Sequence, residues 1–317
     1  MLVKDSTWRK KIRWISLPLA LMALGWTVWL LWGSWPQLQM NFPKLHVRWL
    51  VFTLVGNVIA GYLGFEAFRV LFAKMRPALY SRTGLAHLYF IGQLMKHLPG
   101  RIWGVAYQSA TGRQATLTEW VSVTAIYMVL ATLFALWAAA IVIGFMVGWL
   151  WGILALCTGL VIYVFGWNAP LLGALIGRLR KISPKALSSF YNALQPFIGL
   201  DAKFKSRVCC WFMASWLVYL LAWAGYGMAW PDLTAADGIW LCAIYTIAWF
   251  VGYISLISPS GLGVRELVFV LLAHHFPPDA IAGMAVLGRA TLLAVDVILG
   301  VVFLPFRTRL HAQHTMP

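Results

Sequence analysis

The chain has 317 residues, of which 62% are hydrophobic and 11% charged, with a formal net charge of +16 and a mean hydropathy of +0.78. An ordinary soluble domain carries about 25% charged residues, so a soluble enzyme, a disordered chain and a fibrous protein are excluded. Apolar runs such as Val121–Val147 exceed the roughly ten-residue alternating strands of a membrane β-barrel, and the composition defines an all-α polytopic membrane protein.

The first spanning helix is predicted over Trp14–Gly33, behind Lys4, Arg9, Lys10, Lys11 and Arg13. Basic residues collect in cytoplasmic segments, so the N-terminus is placed in the cytoplasm. This apolar run is too long for a signal-peptide core and no A-x-A-like site follows it, so it is read as a retained helix. A second helix is predicted over Trp49–Phe72, with Lys74, Arg76 and Arg82 after it on the inner side. Leu85–Leu98 is apolar but short, Pro99-Gly100 breaks it, and Ile102–Ala110 is a second short piece ending at Gly112-Arg113. Two half-length helices around a Pro-Gly predict a re-entrant hairpin that enters and leaves on the cytoplasmic side. Its broken backbone would need protein or a wet cavity to satisfy it.

Thr118–Val147 then crosses outward and Trp149–Trp167 returns. The stretch at about 170–207 carries Arg178, Arg180, Lys181, Lys185, Lys203, Lys205 and Arg207 against one acid, Asp201. It is placed in the cytoplasm. Within it, Ser183-Pro184 and the stripe Leu187, Phe190, Tyr191, Leu194, Phe197 and Ile198 predict an amphipathic helix. A helix lying in the membrane interface and one packed under the bundle both fit that stripe. Val208–Trp230 crosses outward to a loop with Asp232 and Asp237. Ile239–Ile257 dives in, Ser258-Pro259-Ser260-Gly261-Leu262-Gly263 breaks the helix, and Val264–Phe276 rises again. The last helix, Ala280–Pro305, runs inward to Arg307 and Arg309.

The expected architecture is one transmembrane domain over residues 1–317 in the inner membrane, with about six spanning helices and both termini cytoplasmic. Two re-entrant hairpins would enter from opposite faces, one in each half of the chain. Paired interrupted segments of this kind mark inverted-repeat transporters whose site lies near the midplane. The positive charge is read as loop bias, with anionic lipid as its natural partner and no role for nucleic acid. Cys157, Cys209, Cys210 and Cys242 all lie in apolar runs and read as small core residues. His274, His275 and Asp279 fall where a helix leaves the membrane, and no metal site is assigned to them. The chain has no Gly-rich phosphate loop, nucleophile elbow or HExxH, so no cofactor and no catalytic residue is assigned.

Charges inside a membrane cost roughly 2.5–3.5 kcal/mol each on insertion scales and mark function by default. Here they are Glu66, Arg69, Lys96, His97, Arg101, Arg265, Glu266, Arg289 and Asp296. Glu66 and Arg69 are three apart, share a helix face and can pair. Lys96, His97 and Arg101 flank Pro99-Gly100, where freed N–H groups and cations make an anion site. Arg265-Glu266 opens the second arm of the later hairpin: the helix dipole favours Glu266 there, and Arg265 can hold a phosphate or an acid on another helix. Arg289 and Asp296 are seven apart, on one face of the last helix.

Ser258-Pro259-Ser260-Gly261-Leu262-Gly263-Val264-Arg265-Glu266 resembles the P-G-G-L-G-x-R-E signature of the lysylphosphatidylglycerol synthase transmembrane-region family, the flippase-like integral membrane proteins. Ser260 stands where that family usually has Gly. Leu98-Pro99-Gly100-Arg101-Ile102-Trp103-Gly104 resembles its earlier L-P-G-x-x-G segment, and Arg289 matches a later Arg. The resemblance implies a membrane region that moves a charged lipid between leaflets, here without the soluble synthase domain. Substrate-binding Arg101, Arg265, Glu266, Arg289 and Lys96 would hold the phosphate headgroup of a phospholipid or a polyprenyl-phosphate envelope precursor. Glu66, Arg69 and Asp296 would support those charges, and Pro99, Gly100, Pro259, Gly261 and Gly263 would break the helices. The expectation is therefore a transporter rather than an enzyme. The alternative is a membrane glycosyltransferase, or an accessory subunit of one, that uses a lipid-linked sugar donor; envelope-biosynthesis proteins would be partners in either case.

Overall fold

The computed structural model describes residues 45–96, 103–112, 114–166, 201–254, 264–276 and 278–306, apart from the side chains of 160–166, 253–254, 266, 278–279 and 282. The expected first helix and the basic excursion before residue 201 lie outside the described residues, as do Pro99, Gly100, Arg101, Pro259, Gly261 and Gly263.

Among the described residues every regular element is a helix. In chain order they are α1 (Val47–Met75), α2 (Arg82–Met95), α3 (Trp103–Thr111), α4 (Leu117–Val147) and α5 (Trp149–Gly166). Then come α6 (Ala202–Met228), α7 (Ala235–Ile254), α8 (Val264–Leu272) and α9 (Pro278–Phe303). Among the described residues five segments are long and apolar enough to cross a membrane: Val47–Met75, Leu117–Val147, Ala202–Met228, Ala235–Gly252 and Gly283–Phe306. Val47, Val51, Val55 and Ile59 recur every four residues along one face of α1, and all are about half exposed. A water-soluble fold would bury such a stripe, whereas lipid is its natural solvent.

Local chemistry sets the helix starts. Thr116 accepts from the Glu119 amide while Glu119 accepts from the Thr116 amide, a capping box that opens α4. Ser81 accepts from the Gly84 amide and starts α2 at Arg82, three residues before the expected Leu85. Thr234 and Asp237 bond reciprocally and start α7 at Ala235 rather than Ile239. This last difference matters: α7 has 20 residues, about 30 Å, and is long enough to span. Its partner α8 has only nine. The later hairpin is thus one full-length arm and one short arm, because Asp237, a loop residue by its charge, is part of the cap that starts the helix.

Side-chain contacts give the topology. Arg76, at the end of α1, bonds Glu119 at the start of α4, and Lys74 lies over the Phe204 ring near the start of α6. This is the basic end of the bundle. At the far end the His46 amide donates to the Ala229 carbonyl, so α1 and α6 run antiparallel. They approach closely: a Cβ on Gly56 would meet the Ala222 Cβ at 2.8 Å. Helix α4 runs from the basic end to the far end, and α5 folds back on it, with Trp137 Nε1 donating to the Ala155 carbonyl.

The two hairpins open in opposite directions. In the first, His87 meets Tyr107 and Gly92 meets Gly104, so α2 and α3 are antiparallel arms joined to the basic end through Tyr80 and Gly112. In the second, Tyr245 meets Phe269 while Asp237 and His275 line one cavity at the far end, so α7 and α8 are antiparallel arms open to that end. Two cores follow. One, around Phe65, Phe68, Phe72, Leu88 and Trp120, holds the first hairpin against α1 and α4. The other, around Trp223, Tyr226, Leu241, Tyr245, Phe269 and Met284, holds the second against α6 and α9.

Candidate functional site

Helix α9 packs on both hairpins, as α4 also does. Its C-terminal end lies on α2: Phe303 stacks on Phe90 at 4.9 Å, and Gly300 faces Leu94 and Ile91. One turn further back, Asp296 receives the Lys96 ammonium at 3.0 Å, just past the end of α2. Lys96 also donates to Gln93 Oε1 at 3.2 Å. The far half of α9 lies on the second hairpin. A Cβ on Gly288 would come within 3.2 Å of Trp223 and 3.4 Å of Tyr245, and Tyr226 donates to the Met284 carbonyl at 2.6 Å. Asp296 and Gly288 are eight residues apart, about 12 Å along the helix and away from both ends of α9.

Arg265 stands on the aromatic cluster beside Gly288. Its guanidinium carbon lies 4.2 Å from the centroid of the Tyr245 ring. Tyr245 packs in turn on Trp223 at 4.9 Å and Phe269 at 5.8 Å. A cation over an aromatic face gains about 0.5–2 kcal/mol, more when desolvated. The ring does not satisfy the N–H groups, however: Arg265 Nε is buried and has no hydrogen-bond partner among the described residues. A buried donor left in that state costs about 1–3 kcal/mol. Arg289 follows Gly288 directly and is half-buried on the same helix.

The other predicted charges fall into separate groups. Glu66 and Arg69 do pair, Nε to Oε2 at 2.7 Å, and Arg82 joins them from the start of α2. Both oxygens of Glu66 are taken by these two arginines in the core of the first hairpin, away from Arg265. Lys96 and Asp296 come together; the side chain of Glu266 is outside the described residues. Among the described residues no cluster of metal ligands occurs. A cavity of about 410 Å³ opens at the far end between Asp232, Asp237, Trp240, His275 and Phe276.

Sequence reasoning passes over His87, Arg82 and Tyr245. His87 is fully buried. Its Nδ1–H donates to the Phe303 carbonyl at 2.9 Å, because a carbonyl can only accept. Nε2 bonds the Tyr107 hydroxyl at 2.8 Å. One side chain thus ties both arms of the first hairpin to the end of α9. His87→Leu leaves that hydroxyl and carbonyl without their partner and is expected to cost about 1–3 kcal/mol. A thermal midpoint in detergent equal to that of the wild type would contradict it. A single His in an apolar run carries no signal of this role. Arg82 reads as a loop charge in the sequence, and Ser81 as N-cap is the signal that places it on a helix.

Comparison of the chain with protein-family models, curated proteins and solved structures finds no match. Five apolar helices of spanning length among the described residues and a lipid-type surface define the class: a multi-pass helical membrane protein.

Proposed function

We propose that this protein is a lipid translocase for a phosphate-headgroup lipid, either a phospholipid or a polyprenyl-phosphate-linked envelope precursor. The reading rests above all on Arg265, a cation seated on Tyr245 inside the bundle, whose buried Nε has no hydrogen-bond acceptor among the described residues. A phosphate oxygen supplies such an acceptor, and a planar guanidinium binds it through a fork of donors. Two hairpins that open to opposite ends and meet one helix support alternating access from the two sides. In this reading the hairpins are re-entrant and the basic end with Lys74, Arg76 and Arg82 is cytoplasmic. The membrane is the inner membrane and both chain termini are cytoplasmic. Arg265, Arg289 and Arg101 neutralise the headgroup, and Glu266 holds them ready. Lys96 assists by exchanging Asp296 for the headgroup. Acyl or prenyl tails stay in lipid.

The test is reconstitution into vesicles with tail-labelled lipids whose outer-leaflet label is quenched. Phosphate-headgroup lipids are expected to change leaflet faster than in protein-free vesicles, and a neutral glycolipid is not. Failure to accelerate any phosphate lipid, polyprenyl phosphates included, contradicts the proposal.

A further inference from the structure

A second charged group lies at the basic end, apart from Arg265, and its geometry exceeds what an ion pair needs. Glu66 is 1% exposed, yet it faces two arginines. Arg69 reaches Oε2 through Nε at 2.7 Å. Arg82 reaches Oε1 through Nε and Nη2, both at 2.8 Å. One buried carboxylate is neutralised by one guanidinium, so the trio carries one excess positive charge. The arginines are not buried with it: their side chains are 37% and 57% exposed. The Arg82 guanidinium carbon lies 5.6 Å from the centroid of the Tyr62 ring, and Tyr62 is stacked on Phe303. The bonds to Glu66 do not use either Nη of Arg69 or Nη1 of Arg82. The neighbouring Arg76 is balanced by Glu119, so the excess charge belongs to this pair.

The position is also informative. The exposed apolar stripe of α1 ends at Ile59, about 10 Å along the helix before Glu66. The arginine pair lies toward the basic end of α1, with Arg69 about 10 Å along the helix from Arg76, which pairs with Glu119 there.

We infer that Arg69 and Arg82, cross-braced by the buried Glu66, form a binding site for a phosphate group at the basic end of the bundle. Glu66 fixes both guanidinium planes in advance, and the remaining N–H groups donate to the phosphate in charge-assisted bonds. The site does not depend on the translocase reading and holds a phosphate whether or not the protein moves lipid. Two sources share this chemistry: the headgroup of an anionic lipid, and free phosphate.

The test is native mass spectrometry of the detergent-solubilised full chain titrated with phosphatidylglycerol, with phosphatidylcholine as the reference, and a parallel thermal melt with inorganic phosphate. Arg69→Lys combined with Arg82→Lys keeps both charges beside Glu66 but removes the forked donors. Phosphatidylglycerol retention over the reference is expected to fall about tenfold in this variant, the loss of roughly one charge-assisted bond, with the melting midpoint in lipid-free detergent little changed. Arg76→Lys, at an arginine already balanced by Glu119, is expected to leave that retention at the wild-type level, which assigns the loss to the Arg69–Arg82 pair. If inorganic phosphate raises the wild-type midpoint and not that of the double variant, free phosphate is a ligand; if only phosphatidylglycerol discriminates, the lipid is. Should the double variant fold poorly, Arg82→Lys alone is expected to lower retention in the same direction. Equal retention by wild type and variants, with inorganic phosphate shifting neither midpoint, overturns the inference.

Discussion

Gly104→Val is expected to prevent the first hairpin from closing and to lower the thermal midpoint more than His87→Leu does. A Cβ at Gly104 would lie 2.6 Å from the Gly92 carbonyl oxygen and 3.3 Å from its carbon. Those are backbone atoms inside α2 and cannot rotate away, so the arms must separate. Overpacking of this kind costs about 3 kcal/mol. It would also pull Tyr107 from His87, because that bond depends on the same helix spacing. Gly148→Ala is the control: its Cβ would come no closer than 3.8 Å to Trp151, and no measurable change is expected. Thermal melts of the detergent-solubilised variants by size-exclusion fluorescence test this pair. A Gly104→Val midpoint equal to that of Gly148→Ala would show that the arms do not pack as described.

Arg265→Lys is expected to lower lipid translocation at least about tenfold while the protein still folds. Lysine keeps the charge but loses the planar fork and much of the stacking on Tyr245, and tenfold corresponds to about 1.4 kcal/mol. Tyr245→Leu should act in the same direction, since it removes the seat and leaves the cation. The two together should be far less than additive, because each disturbs the same contact. Wild-type translocation in Arg265→Lys, measured in vesicles of matched protein content, would remove Arg265 from the mechanism.

Much of the fold is legible in the sequence because spanning helices are long and nearly uniform in composition. Val47–Met75 and Leu117–Val147 each lie within about three residues of the expected Trp49–Phe72 and Thr118–Val147, whereas Ala202–Met228 starts about six residues before the expected Val208–Trp230. The described arms on either side of the expected breaks, α2 with α3 and α7 with α8, pack antiparallel. Helix starts are less legible, since they depend on side-chain caps: Ser81 and Thr234 extend α2 and α7 past the apolar runs.

The site is legible only as a set of costly charges. Spacing joins Glu66 to Arg69, three residues apart on one helix. It cannot join Lys96 to Asp296, 200 residues apart, or bring Arg82 to Glu66 across a turn. Tyr245 under Arg265 is invisible for a simpler reason: one aromatic in an apolar run looks like any other until the partner helix is in place.

The central claim is that a lipid phosphate binds Arg265 inside the bundle, and phosphorus-to-nitrogen distance measurement tests it most directly. The protein carries nitrogen-15 arginine and sits in bilayers of phosphatidylglycerol or of a polyprenyl phosphate. Solid-state dipolar dephasing between phosphorus-31 and the guanidinium nitrogens then reports contacts within about 4 Å, the reach of a charge-assisted hydrogen bond. In the Arg69→Lys, Arg82→Lys background, the account predicts a dephased arginine signal that Arg265→Lys weakens. Identical dephasing with and without Arg265→Lys in that background, in both lipids, would contradict it.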